Sequence, residues 1–458
     1  MKLPPGPKTP EIVQLLQWVA SPLTLMDTCA KNYGEIFTLR VGENCNPIVF
    51  LSNPQAIKEV FTADYKQFDS GPANQLAKPI LGQYSLMLMD GDRHRRERQL
   101  LMPPFHGERM RTYAQLIQDI TFTVTKEWQI GHKFSVREVM QEISLRVILQ
   151  AVFGLQEGIR SQQLRQLLSE MLDEISSPLN SALLFFPVLQ KDLGSWSPWG
   201  RFLRRQEEIS KLLYAEISER REKPDPSRTD ILSLLMSARD ENSQPMTDAE
   251  LHDELRSLLV AGHETTATSL AWALYSIHHV PGVLDQLLQE IDSLGDNTDP
   301  AAFAKLPYLS AVCNETLRIY PILLITFGRI VKSPIEIMGH LFEPGTQVAP
   351  CIYLTHRRED IYPEPDKFKP ERFLERQFSP YEYFPFGGGN RRCLGIALAA
   401  FEMKLVLGTI LSNWQMTLAD RRPVRPIRRG FTLGPSGGVR MVVSDRRYRK
   451  SGIMETTV

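Results

Sequence analysis

Between Thr247 and Pro281 nothing breaks a helical pattern, and that interval limits the folds open to the chain more than any other stretch. Thr247-Asp248-Ala249-Glu250 has the form of a capping box, in which Thr247 caps the first turn and Glu250 reaches back to it. The next strong breaker is Pro281-Gly282. About 32 residues at 1.5 Å each make a rod of roughly 48 Å, which predicts a central helix crossing the whole molecule. Midway along it, Ala261-Gly262-His263-Glu264-Thr265-Thr266 is poor helix material, because glycine costs entropy and β-branched neighbours crowd the preceding turn. Threonine hydroxyls can bond back one turn, so a local bend with room for water or a small ligand is expected there. His263 is expected to pack or to face solvent rather than to bind metal.

No repeat, low-complexity linker or shift in composition divides the 458 residues, so residues 1–458 read as one domain. With 42% hydrophobic and 23% charged residues, the chain can bury a large core around a cofactor. Residues 1–34 read as a proline-rich arm and a first helix. Residues 35–41 and 47–51 predict a strand pair, 54–320 a mostly helical region, and the part beyond Arg329 short strands and turns. A short helix is expected over 352–358, a proline-rich coil over 362–378 and a C-terminal tail from about 445. The fold class is mainly α with small β-sheets, α+β. A formal net charge of zero gives no support to nucleic-acid binding. Cysteines 29, 45, 313, 351 and 393 are odd in number and scattered, which argues against a disulfide framework and for a reducing, cytoplasmic setting. The amino-terminal residues hold no apolar stretch and no later segment reads as 18 apolar residues, so neither a signal nor a transmembrane anchor is expected, and the chain reads as a soluble monomer.

Cys393 closes a glycine turn, Phe386-Gly387-Gly388-Gly389-Asn390-Arg391-Arg392-Cys393-Leu394-Gly395, that opens into an apolar helical stretch. Helix amides and two arginines give this sulfur electrostatic reasons to exist as thiolate. Zinc would call for several Cys or His ligands at short spacing, and nothing like CxxC lies nearby, so a metal with one protein ligand fits better.

The pattern Phe-Gly-x-Gly-x-Arg-x-Cys-x-Gly, followed by Ala399 and Glu402, resembles the haem-binding loop of the cytochrome P450 superfamily. The resemblance implies that fold: a triangular, helix-rich single domain with haem b buried between the long helix and the cysteine loop. It makes Cys393 the axial iron ligand, with Phe386 covering the sulfur, Gly387 and its neighbours letting the backbone pass under the ring, and Gly395 admitting the following helix. Ala261-Gly262-His263-Glu264-Thr265-Thr266 is similar to the family's acid-alcohol signature, so Glu264 and Thr265 are the implied proton relay to dioxygen, with Ala261 against the cofactor. Glu315 and Arg318, one helical turn apart, and Arg372 in Pro370-Glu371-Arg372-Phe373 are similar to the family's three-residue ionic network, a structural rather than catalytic feature. His94, Arg98, Arg329 and Arg391 are the implied partners of the haem carboxylates, while Arg93, Arg95 and Arg96 read as surface charges able to dock an acidic electron carrier.

Leu259, Ala261, Ile322, Leu323, Leu324, Ile325, Phe431 and Thr432 are expected to line an apolar substrate pocket. The segments 68–89 and 183–199 read as entrance elements or as plain core, with Lys78 or Tyr84 as a possible carboxylate anchor. Pro4-Pro5-Gly6-Pro7 looks like the hinge that follows the anchor of membrane-bound members, which suggests a soluble bacterial type similar to cyanobacterial ones. Fatty-acid hydroxylation is the leading activity, a terpene or steroid-like skeleton the alternative substrate. A peroxygenase, a haem-thiolate isomerase or a non-catalytic haem sensor would share Cys393. With no flavin or nicotinamide domain in view, electrons are expected from a separate ferredoxin system or flavoprotein.

Overall fold

The computed structural model describes residues 3–105, 109–154, 158–176, 183, 185–186, 189–295, 299–420 and 422–447. Two short helices, not one, follow the proline-rich arm: α1 (Glu11–Ala20) and α2 (Pro22–Tyr33), divided at Ser21-Pro22. The proline occupies the first turn of α2, where its missing N–H costs nothing. Helices α3 (Pro54–Thr62), α4 (Lys78–Leu81), α5 (Gly91–Leu101), α6 (Arg109–Thr125), α7 (Val136–Phe153), α8 (Ile159–Ser176), α9 (Pro198–Glu222) and α10 (Ile231–Ser237) lead to the long α11 (Asp248–His279). Then come α12 (Val283–Asp292), α13 (Pro307–Ile319), the short α14 (Ile352–Thr355) and α15 (Arg372–Glu375), and α16 (Ile396–Asn413).

The expected limits of the central helix hold. Glu250 N–H donates to Thr247 Oγ1 at 3.2 Å and Thr247 N–H donates to Glu250 Oε2 at 2.9 Å, so both halves of the capping box are made. The helix runs unbroken through Gly262, and the threonine hydroxyls bond back as expected: Thr265 to the Ala261 carbonyl (2.7 Å), Thr266 to that of Gly262 (2.9 Å). Gly262 serves packing. A Cβ on it would stand 3.0 Å from Ile148 Cδ1, so the missing side chain lets α7 lie close along α11.

The main sheet has the order β1-β2-β8-β5-β3, from β1 (Ile36–Arg40), β2 (Pro47–Leu51), β3 (Phe68–Asp69), β5 (Arg329–Val331) and β8 (Gln347–Pro350). β1 and β2 form the expected antiparallel pair, and β8 joins parallel to β2. β4 (Lys133–Ser135), β12 (Arg440–Arg446) and β9 (Trp414–Leu418) make a second sheet. β6 (Ile335–Ile337) with β7 (His340–Phe342), and β10 (Pro426–Arg429) with β11 (Thr432–Pro435), are hairpins. The region beyond Arg329 is thus the strand-rich part foreseen, with α15 interrupting the expected coil.

One stretch of 18 residues, α16, is apolar enough by length and composition to cross a membrane, but 61% of it is buried inside the protein, and Met403, Leu405, Val406 and Leu407 belong to the core. It also carries Glu402, which is buried, and burial pushes its carboxyl up to about 8.

Before the cysteine loop, the chain is held by a buried ionic network. Arg318 on α13 donates to both oxygens of Glu315 (2.7 and 2.8 Å) and to the His356 carbonyl (2.7 Å). Glu315 also accepts from Arg372 Nε (3.1 Å) and the Lys369 N–H (2.8 Å). Both Glu315 and Arg318 are wholly shielded from solvent. Removing the charge from Glu315 would leave two guanidinium groups short of a counter-charge. Glu315→Gln is therefore expected to lower stability by about 3–5 kcal/mol, read as a shift in the denaturation midpoint together with reduced haem content on purification; an unchanged midpoint would contradict a structural role.

Candidate active site

The cysteine loop is shaped by long-range packing. The Gly387 N–H donates to the Phe384 carbonyl and the Cys393 N–H to the Phe386 carbonyl, both at 2.9 Å, while Gly387 and Gly389 take φ of +67° and +63°. A Cβ on Gly388 would lie 2.2 Å from the ring of Phe61 on α3, and one on Gly389 would lie 2.6 Å from the Phe61 carbonyl oxygen. These glycines therefore admit Phe61, a partner more than 300 residues earlier. A Cβ on Gly395 would meet nothing within 4 Å, which leaves open space beside the sulfur's helix.

Cys393 is accessible yet deep in the fold, as a residue on the wall of an internal space must be. Burial raises its pKa, and the Gly395 N–H, Arg98 and Arg392 oppose that rise without overcoming it. The expected thiolate is thus not a property of the protein alone. A metal bound at the sulfur would take the place of the proton.

Four basic side chains converge beside this loop. Arg391, half-buried, donates to Asp90 (2.5 Å) and to the Leu86 carbonyl (3.3 Å). Arg329, at the head of β5, donates to the carbonyls of Phe327 (3.0 Å) and Gly388 (3.2 Å), and so ties the sheet to the loop. Burial lowers its pKa to about 9, with Arg391 adding to the effect. His94, buried on α5, is pushed down to about 3, first by burial and then by Arg391, Arg98 and Arg329. Asp90 is the one carboxylate bonded to these four among the described residues. A buried cluster of cations with an accessible cysteine and an open face at Gly395 fits a flat, dianionic cofactor whose metal takes one protein ligand, which is the description of haem.

A cavity of about 360 Å³ is walled by Val260, Ala261, Glu264 and Thr265 of α11, by residues 72–77, by 323–328 and by 428–432. Glu264 turns both oxygens toward α7. Oε1 accepts from Arg137 Nη2 and Oε2 from Gln141 Nε2, each at 2.9 Å.

Comparison with known proteins decides the reading. The cytochrome P450 family model matches residues 4–439. The chain belongs to the cytochrome P450 family. A Mycobacterium tuberculosis protein provisionally named cytochrome P450 135B1 is 38% identical over 448 residues, covering 98% of this chain and 92% of its own length. A second from the same organism, provisionally cytochrome P450 135A1, is 32% identical over 447 residues, with 97% and 96% covered. The solved structure of retinoic acid-bound cyanobacterial CYP120A1 superposes with a TM-score of 0.83 at 24% identity, covering 98% of this chain and all of that one, which shows the shared fold. The protein is thus a monooxygenase of the P450 type, a family that works with haem.

Within this P450 the structure brings most of the expected residues together and moves others. Ala261, Leu323, Leu324, Ile325, Phe431 and Thr432 line the cavity, but Leu259 and Ile322 do not. Leu259 stands about 200° round the helix from Ala261, since each residue turns 100°, and it is buried in the core. Ile322 is buried too, and its carbonyl accepts the Leu433 N–H (2.9 Å). Neither Lys78 nor Tyr84 is among the lining residues. Lys78 is exposed, while Tyr84 lies under the Arg93 guanidinium and donates its N–H to Asp253. The 68–89 segment is bound to α11, through Leu86 N–H to Glu254 (2.6 Å) and Ser257 to Ser85 (2.8 Å). Of the other entrance stretch, Leu184, Pro187 and Val188 lie outside the described residues. Arg93 and Arg95 are exposed as expected, but Arg96 is tied to Asp240 (2.5 Å) and Glu97. His263 is buried and packs. Phe61, Asp90, Arg137 and Gln141 escaped sequence reasoning; the one local trace was a polar i,i+4 pair on the apolar helix α7.

The cation cluster has a pH signature. In the haem-free protein His94 stays neutral down to about pH 3, whereas a histidine in the unfolded chain takes up its proton near 6.5. The unfolded state binds the extra proton between those values, so His94 makes stability fall as pH drops through that window. His94→Gln should remove up to about 1.4 kcal/mol per pH unit of this slope. Denaturation of the haem-free forms across the window checks it, and equal slopes in both would contradict the cluster.

Proposed function

We propose that this P450 hydroxylates long apolar acyl chains, fatty acids in the first place, using haem b and electrons from a separate ferredoxin or flavoprotein. The observation that carries the substrate class is the cavity wall, where Val260, Leu323, Leu324, Ile325 and Phe431 give an alkyl chain van der Waals surface but few hydrogen bonds. The solved neighbour bound to retinoic acid, itself an apolar carboxylic acid, is in keeping with this class. Residues 1–458 act as one catalytic domain in this reading.

Cys393 holds the iron, and His94, Arg98, Arg329 and Arg391 hold the carboxylates. Bound there, haem supplies the activation of dioxygen and the transfer of one of its atoms to the substrate. The protein's part is to manage protons and exclude water. The Thr265 hydroxyl donates to the Ala261 carbonyl, which fixes its proton and leaves its oxygen free to accept from a water in the cavity. Glu264, buried beside it, can bring protons from the α7 side once it releases Arg137 or Gln141.

Thr265→Ala is expected to keep consuming donor electrons while the share ending in hydroxylated product falls severalfold, because the positioned acceptor for that water is lost. Full coupling in the variant would refute the relay. Thiolate ligation itself is read from the carbonyl complex of the reduced protein: a strongly red-shifted Soret band is expected, and an imidazole-like band would overturn the assignment of Cys393.

A further inference from the structure

The cavity wall contains two charges that the chemistry above does not use, Arg428 and Arg429. Arg428 is the third residue of β10, opposite Leu433 of β11, and lines the cavity. Its Nη2 donates to the Trp18 carbonyl (3.0 Å) and its Nη1 reaches that of Gly430 (3.5 Å). The guanidinium lies over the rings of Trp18 (4.9 Å) and Phe185 (5.3 Å). Carbonyls and ring faces hold a cation in place, but they carry no net negative charge. Among the described residues Arg428 makes no ion pair, and its Nε is buried with no hydrogen-bond partner. An unsatisfied buried donor on a permanently charged group is costly, and Nε with the adjacent Nη is the edge on which arginine takes a carboxylate in bidentate fashion.

Its neighbour differs in the charges around it. Arg429 lines the cavity too and its Nε is likewise buried without a partner, but it feels the charges of Arg137, Glu264 and Asp173, so two carboxylates act on it, whereas none acts on Arg428. Burial alone acts on Arg428; it lowers the pKa to about 10 and leaves the group charged at neutral pH.

We propose that Arg428 is a substrate-binding residue that receives the carboxylate head of an amphiphile on its free Nε edge, with the apolar chain running through the cavity toward Ala261 and Thr265. This rests on the acyl-chain reading above and adds the head group to it. None of the contacts of Arg428 is made to the cysteine loop or to the cation cluster, so a pinned carboxylate lies away from the oxidising centre and the chain is hydroxylated at a carbon remote from it.

The test uses the holoenzyme and three ligands of equal chain length: hexadecanoic acid, methyl hexadecanoate and 1-hexadecanol. Binding is followed by the haem absorption change and independently by tryptophan fluorescence, since Trp18 lies under the guanidinium. The acid is expected to bind about ten- to hundredfold more tightly than the ester or alcohol. Arg428→Gln should abolish that preference and leave the neutral ligands as they were, while Arg428→Lys retains part of it. Equal binding of all three to the wild-type protein, which needs no variant to fold, overturns the anchor and leaves the acyl-chain reading standing. A preference that survives Arg428→Gln and vanishes in Arg429→Gln overturns the assignment to Arg428. Failure of all three to bind overturns the acyl-chain reading, and the anchor with it.

Discussion

Buried positive charge without enough negative charge is the condition around which the surroundings of the cysteine loop are organised. His94 and Arg98 come from one helix, Arg329 from the head of a strand, and Arg391 from a loop near the end of the chain, and burial first, with the three guanidinium charges added, keeps the histidine neutral. Separate segments do not assemble like charges unless something holds each of them. Asp90 does part of this, accepting from Arg391 while its two oxygens also take the N–H groups of Ser70 and Gly71 at 2.6 and 2.9 Å. Arg329 is held by the register of β5 on β8 and by the loop carbonyl it bonds. A bound anionic cofactor would supply the rest of the neutralisation, and its binding would then be coupled to completion of the fold.

The same logic governs the sulfur. Burial favours the protonated thiol, and nearby cations only soften that preference. What the protein supplies is position. Phe61 fills the hollow that the glycines leave, Arg329 pins Gly388, and the Glu315 network fixes the coil leading into the loop through Lys369 and Arg372. A network of that kind adds little net stability when desolvation is counted, but it restricts the conformations available to the segment that carries the ligand.

Features written in consecutive residues were legible without coordinates. The capping box and Pro281 set the limits of the central helix because both act within one turn. The cysteine loop and the Glu315–Arg318 pair were legible because their signals are also local. Contacts across the chain were not. The glycines of the loop announced a close approach, but nothing near them says that Phe61 is what approaches, and the partners of Glu264 lie 123 and 127 residues away. Leu259 was misplaced for a different reason: it has the right composition for a pocket, and only helical phase, set by Ala261 and Thr265, turns it into the core. Lys78 was attractive as an anchor because it stood in a candidate entrance segment, whereas Arg428 sat in an arginine-rich stretch, residues 421–429, where no single residue stands out until burial separates Arg428 from its neighbours.

Around Glu264 the buried charge is paired, and this bears on how an acid bonded on both oxygens could still move protons. Glu264 is bonded on both oxygens, so releasing it would ordinarily strand Arg137 as an unpaired buried cation. Arg137, however, also stands 3.6 Å from Asp173, an exposed carboxylate on α8. A rotation of Glu264 toward Thr265 would leave Arg137 with that second partner and leave Gln141, which is neutral, with no charge to compensate. The cost of opening the pair is thereby reduced to a hydrogen bond and some desolvation instead of a naked charge. Asp173, reached by solvent, is also where a proton from bulk water would enter. In the relay proposed above, the acid-alcohol pair would be the inner end of a path whose outer end is set by α8, a helix whose sequence carries no mark of it.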